Sequence, residues 1–279
     1  MFSILLSLMA SAIVVGVLIA STVSIGSMVF FGILSFILSF YLIAFFTRKK
    51  IKAVQNELQE IMLVGQQRMN RKVQQFQSKP GGNLKLIQRQ IDADQNQLYK
   101  QGLEFTSRLE PFKKWSLLMG RQIATMQLQF SYQLKDYKRV DEILNTRGLF
   151  KGPLLMEPIL VAMKMAREFK NEEIKRAEKT FKRHLKWFRG DRATLLYGLM
   201  SWIYVKEGEI EKARDLLSKA KDAIDNDTFA LNWERLSNNK VKNFSNAGLG
   251  EEWFALYLEK PPAPKQQRVR MKQGKGRRF

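Results

Sequence analysis

"YVKEGEIEKARDLLSKAKDAI", Tyr204 to Ile224, reads as the end of one helix, a glycine turn and a second, amphipathic helix. The residues around Gly208 keep fixed distances from it. Tyr197 and Tyr204 lie eleven and four positions before it; Ile210, Ala213, Leu217 and Ala220 follow at two, five, nine and twelve. Steps of three and four place such residues on one face of a helix. Alone, this is an ordinary helical hairpin. Two other stretches share its pattern, however. "KDYKRVDEIL" (Lys135–Leu144) and "EEIKRAEKTF" (Glu172–Phe181) align without gaps on "GEIEKARDLL" (Gly208–Leu217), so Val140, Ala177 and Ala213 occupy one position, 37 and 36 residues apart. A recurring period of that size signals stacked helix pairs, because one pair cannot bury its apolar face alone.

The pattern resembles the tetratricopeptide repeat, in which an aromatic closes the first helix, Gly makes the turn and a small residue lets the two helices touch. The resemblance covers Trp115 to Leu258 and implies an all-α solenoid of three to four helix pairs. Gly208 is then the turn, and Val140, Ala177, Ala213, Ala220 and Ala247 are packing positions. Ala247 belongs to a degenerate fourth unit in "FSNAGLGEEWFALYL" (Phe244–Leu258), 34 residues after Ala213. The chain departs from the family where Lys135 and Glu172 stand at the turn glycine, where Val140 replaces a small residue, and where no Pro closes a unit. The resemblance further implies a concave face that holds peptides or partner proteins. By position in the motif, Gln129, Tyr132 and Gln133 line it in the first unit, Phe169 and Lys170 in the second, Trp202 and Lys206 in the third. Phe169 and Trp202 have a competing reading as interhelix core, since buried aromatics dominate such stacks.

The other end of the chain is of a different kind. Met1 to Thr47 carries no charged side chain, so the whole net charge of +21, from 47 Lys and Arg against 26 Asp and Glu, falls on the remainder. As one helix this stretch would reach about 70 Å, against a hydrocarbon core of about 30 Å. It breaks at "STVSIGS" (Ser21–Ser27), which predicts two membrane spans, 2–20 and 28–46. A cleaved signal peptide would carry cations ahead of its apolar run; none precedes Arg48. Close packing of two spans calls for small residues, here Ala12, Gly16 and Ala20 facing Ser35 and Ser39. Arg48, Lys49, Lys50 and Lys52 follow the second span directly and assign that side to the cytoplasm. The expected location is a cell membrane of the bacterial inner type, with both ends and the soluble region on the cytoplasmic face.

Residues 48–112 link membrane and repeats. Ile51, Val54, Leu58 and Ile61, then Met69, Val73 and Phe76, form one helical stripe; "KPGGN" (Lys79–Asn83) stops it. A second stripe runs through Leu84, Ile87, Ile91, Leu98, Phe105, Leu109 and Phe112. The two predict an antiparallel, coiled-coil-like hairpin. With no Pro or Gly between Gly32 and Gly65, the second span is expected to continue out of the bilayer as a stalk. A seam for self-association is the competing reading, so a homo-oligomer stays open. At the far end, residues 259–279 read as a disordered basic tail, with Lys265, Arg268, Arg270, Lys272, Lys275, Arg277 and Arg278 and no acid after Glu259.

Chemistry is hard to find. Cysteine is absent and His184 is the only histidine, which excludes Cys- and His-rich metal sites. No phosphate-binding glycine loop is present. His184, between Arg183 and Leu185 in "FKRHLKWF", has no carboxylate nearby in sequence and is expected at the surface or a groove rim. Neither a cofactor nor an enzymatic reaction is indicated. The expected function is a membrane-anchored, non-enzymatic adaptor that recruits a protein partner, of acidic character given the charge. Arg48, Lys49, Lys50, Lys52 and the basic tail would meet anionic lipid. The alternative is a membrane-tethered RNA- or ribosome-associated factor whose basic surface contacts phosphates.

Overall fold

Two apolar helices begin the chain: α1 (Phe2–Ala20) and α2 (Ile25–Gln77). The computed structural model describes residues 2–21, 24–77, 84–116, 118–146, 148–152 and 156–261, and among them every regular element is helical. The KPGGN turn and the seven cations of the basic tail lie outside the described residues. Helix α1 is about 28 Å long and the uncharged part of α2 about 34 Å, each enough to cross a bilayer. They pack as a hairpin, but not through the residues expected. Ala12, Gly16 and Ala20 are exposed, and a Cβ on Gly16 would meet nothing within 4 Å. The covered stripe is the neighbouring one: Ser3 and Ser7 are buried, with Ser3 Oγ on the Trp115 carbonyl, and Ser11 meets α2. Ser11 Oγ donates to the Gly32 carbonyl at 2.8 Å, and a Cβ on Gly32 would lie 2.8 Å from a Val15 methyl. Ser35 and Ser39 are half-buried, with Ser39 Oγ bonded to the Ser35 carbonyl of its own helix.

Helix α2 does not stop at the end of its apolar stretch. It runs 53 residues without a break, about 80 Å at the standard rise. Helix α3 (Leu84–Phe105) returns along it, as a constant register shows. Lys72 pairs with Asp94, Gly65 receives Leu98, Leu58 packs with Phe105, and Arg108 pairs with Glu57 at 2.8 Å. Gly65 is the point of closest approach: a Cβ there would lie 2.6 Å from a Leu98 methyl. A 3-10 segment, Thr106–Lys114, then turns the chain into α4 (Met119–Gln133). Met119 and Ile123 meet Ile51, while Phe130 meets Leu58. Helix α4 therefore runs parallel to α2, away from the apolar end.

From α4 onward the chain forms short-turn helix pairs: α4 with α5 (Tyr137–Leu144), α6 (Pro158–Lys170) with α7 (Ile174–Leu185), and α8 (Thr194–Lys206) with α9 (Ile210–Ala223). Helix α6 packs against both α4 and α8, so the first helices of the pairs lie side by side. The three turns are the same turn. Lys135, Glu172 and Gly208 all have left-handed φ, of 59°, 62° and 76°. Each closes its helix by a double hydrogen bond: Asp136 N–H to Ser131 O, Glu173 N–H to Glu168 O and Glu209 N–H to Tyr204 O reach five residues back, at 2.8 to 3.0 Å. This is the Schellman closure, for which glycine is the usual residue. Val140, Ala177 and Ala213 are fully buried at equivalent positions. Between pairs, Arg167 on α6 grips Asp141 on α5 with both Nε and Nη2, at 2.9 and 2.7 Å. One continuous apolar core extends from Leu128 to Leu256.

Candidate functional site

A fourth turn of the same kind, at Asn239 (φ 54°), ends α10 (Asp227–Ser237). By the pattern of the other three, the second helix of a fourth pair is expected to follow. Instead the chain makes two 3-10 turns, Val241–Asn243 and Ala247–Leu249, and the four-residue helix α11 (Glu251–Phe254). Ala247 is exposed in the second turn and packs no helix against another. Tertiary contacts redirect the segment. Asn232 and Asn246, both fully buried, hold it from two sides: Asn232 Nδ2 donates to Ser245 O, and Asn246 Nδ2 donates to Gly198 O at 2.7 Å. Gly198 leaves room for Leu249, whose methyl would lie 2.3 Å from an added Cβ.

Beyond Gly250 the chain crosses the side-by-side first helices as a strap, on the face where the repeat pattern places a groove. The Tyr132 hydroxyl donates to Leu256 O at 2.8 Å. Gln133 Nε2 donates to Ala255 O at 3.4 Å, and the Tyr257 hydroxyl reaches the Gln133 side-chain oxygen at 2.9 Å. The Tyr132 and Tyr257 rings stack at 6.2 Å, and Lys135 Nζ lies 4.5 Å above Tyr257. The Trp202 ring meets Trp253 edge-on at 5.9 Å, with Phe169 against its other side at 5.2 Å. Both indole N–H groups converge on one carboxylate: Trp202 Nε1 to Glu259 Oε1 at 2.6 Å and Trp253 Nε1 to Glu259 Oε2 at 2.8 Å. Trp253 and Leu256 are fully buried.

The seven residues expected at the groove thus divide. Tyr132, Gln133 and Trp202 bind the strap directly, and Phe169 supports Trp202. Lys206 lies 5.1 Å above the Trp202 ring, whereas Lys170 lies over Tyr137 at 5.3 Å and Gln129 is exposed. Trp202 is buried, and what buries it includes the strap. Burial raises the Tyr257 phenol to about 12, with the nearby Tyr99, Tyr137 and Asp92 adding to the shift. Desolvation lowers Lys170, and its neighbours Arg167 and Lys135 add to this.

His184 is not at the surface. It is almost fully buried between Phe150 and Trp187, with Nδ1 2.7 Å from Thr180 O. That contact fixes the neutral tautomer with Nδ1–H donating. Burial lowers its pKa. Thr180 Oγ1 donates to Glu168, whose carboxyl is raised by burial, and Lys164 stands 3.9 Å away. These groups join α6 to α7. Among the described residues no cluster of three His, Asp or Glu side chains is placed to hold a metal. Arg48, Lys49, Lys50 and Lys52 are all exposed. No family model, curated protein or solved structure matches the chain.

Proposed function

We propose that the chain is a membrane-anchored, non-enzymatic adaptor, whose apolar hairpin spans a cell membrane and whose tetratricopeptide-like solenoid recruits a protein partner on the cytoplasmic side. The observation that carries this reading is the strap. The inner face of the helix pairs already holds a short peptide segment, residues 251–259, through main-chain carbonyls, stacked rings and a two-indole carboxylate clamp. A surface that recognises an aromatic, acidic segment in this way has the chemistry of a peptide-recruiting site. The identical closures at Lys135, Glu172 and Gly208 support the repeat reading. The positive residues after Thr47 support the cytoplasmic orientation.

A second reading draws on α7. Lys175, Lys179, Lys182, Lys186 and Arg189 are exposed on and just beyond this helix at steps of three and four, facing only Glu178 as an acid within that span. Such a ridge also suits nucleic-acid phosphates. Crosslinking in cells followed by detergent extraction separates the readings. Protein partners that survive nuclease and moderate salt support the adaptor. Loss of every partner on nuclease treatment replaces it with the RNA-associated factor. A reporter fused after Phe279 is expected on the cytoplasmic side.

A further inference from the structure

Where the apolar hairpin meets the helical body, the structure leaves a crevice of about 390 Å³. Leu6 of α1 and Leu42 and Phe46 of α2 form its lower walls; Lys50, Phe112 and Trp115 form its upper rim. The walls are open rather than buried: Leu6, Leu42 and Phe46 are 41, 46 and 59% exposed. The rim is held in place. Ser3 Oγ donates to the Trp115 carbonyl at 3.3 Å, the Phe2 and Trp115 rings touch at 5.9 Å, and Lys114 lies over Phe2. Leu42, Phe46 and Lys50 lie four residues apart on one helical face, so Lys50 stands about 12 Å above Leu42. The crevice therefore grades from hydrocarbon to cation over the length at which a bilayer grades from acyl chain to phosphate.

We propose that this crevice binds one phospholipid with an anionic headgroup, its chain against Leu6, Leu42 and Phe46 and its phosphate at Lys50 and the Trp115 indole N–H. The site rests on the reading of the hairpin as membrane-spanning, since lipid is the occupant only there. Charge complementarity selects the headgroup. Met1 to Asn56 holds four cations and no carboxylate. Among the described residues Lys50 makes no ion pair, no carboxylate lines the crevice, and Glu110, two residues before Phe112, is paired with Lys113 at 2.5 Å. Cationic pockets beside the cytoplasmic ends of spans are suited to anionic headgroups, and Trp favours the same depth. One interfacial cation is worth about fivefold in binding.

The test uses the full chain, purified in mild detergent and titrated with phosphatidylglycerol and phosphatidylcholine under native mass spectrometry. One phosphatidylglycerol is expected to bind preferentially. Lys50→Gln is expected to lower that preference about fivefold and Trp115→Phe to lower it further. Lys49→Gln, which removes the same charge one position round the helix, is expected to leave it unchanged. Equal binding of the two lipids, or equal effects of Lys49→Gln and Lys50→Gln, overturns the site. Release of the chain from membranes by alkaline carbonate overturns the membrane reading and this site together. Retention in the membrane without lipid preference overturns the site alone.

Discussion

Glu172 holds a left-handed φ of 62° at a turn where its counterpart, Gly208, has 76°. A non-glycine residue pays about 1–2 kcal/mol for that conformation. Replacing it with Gly removes this cost and adds about 0.5–1 kcal/mol of unfolded-chain entropy. The Glu172 side chain is exposed and stands at the negative end of α6, so little else is lost. Glu172→Gly is therefore expected to stabilise the helical region by about 0.5–1 kcal/mol, a rise in Tm of roughly 1–4 °C. The reverse change, Gly208→Ala, is expected to cost about 1 kcal/mol. Lys135→Gly makes the internal control. It relieves the same backbone strain but forfeits the contact of Lys135 with Tyr257, worth about 0.5–1 kcal/mol at a partly exposed site, so its net effect is expected near zero. Thermal unfolding of the full chain in detergent, followed by circular dichroism, reads all three. A destabilised Glu172→Gly protein, or an unaffected Gly208→Ala protein, refutes the claim that the three turns share one strained geometry.

Glu259→Gln removes the charge from the two-indole clamp; a loss of about 1.5 kcal/mol is expected to speed amide exchange in residues 253–258 roughly tenfold, and unchanged exchange refutes the clamp. Gly65→Val drives a side chain into Leu98 and is expected to cost about 1–3 kcal/mol, whereas Gly16→Ala is expected to be silent; both are read by melting temperature in detergent. His184 has a folded pKa below its unfolded value, so the folded state binds fewer protons and stability falls as pH drops below about 6.5. Its contribution is full above that pH and declines through the lowered folded pKa. The raised Glu168 acts oppositely, losing stability as pH rises above its unfolded value. The difference in Tm between the natural chain and His184→Gln, measured from pH 7.5 to 5, is expected to shrink as the pH falls, and a constant difference refutes the buried neutral imidazole.

The repeating turns were readable because Ala177 and Ala213 need their small size wherever two helices touch, and a period survives change at other positions. Even Lys135 and Glu172, which break the glycine rule, keep the glycine conformation. The hairpin contact was not readable in the same way. Two small-residue stripes lie on α1, and composition does not say that the one with Ser3, Ser7 and Ser11 rather than the one with Ala12 and Gly16 is covered. Ala247 failed for another reason: its distance from Ala213 matches the period, but Asn232, Asn246 and Gly198 act from distant positions to turn the segment across the stack. Motif position brings Tyr132, Gln133 and Trp202 into one set, and the structure places one segment, residues 251–259, against all three; no spacing in the sequence names that segment. Its signal was the unbroken apolar run Phe254, Ala255, Leu256, Tyr257 and Leu258 after Trp253, which has no polar face to turn to water as a surface helix would. His184 looked solvated because its sequence neighbours are cations; Phe150, from another element, encloses it.

The unbroken course of α2 has a mechanical consequence. No Pro interrupts it, and its one midpoint glycine, Gly65, is filled by Leu98. The portion from Arg48 to Gln77 is a rod of about 45 Å with the return helix along it. Such a rod converts angle into distance: a tilt of about 10° at its base displaces its far end by about 8 Å. Spans tilt when hydrocarbon thickness changes. Since α4 is keyed to the same rod at Ile51 and Leu58, the helix pairs packed on α4 turn with it. On the proposed membrane-spanning reading, hydrocarbon thickness would set the orientation of the surface that carries the strap.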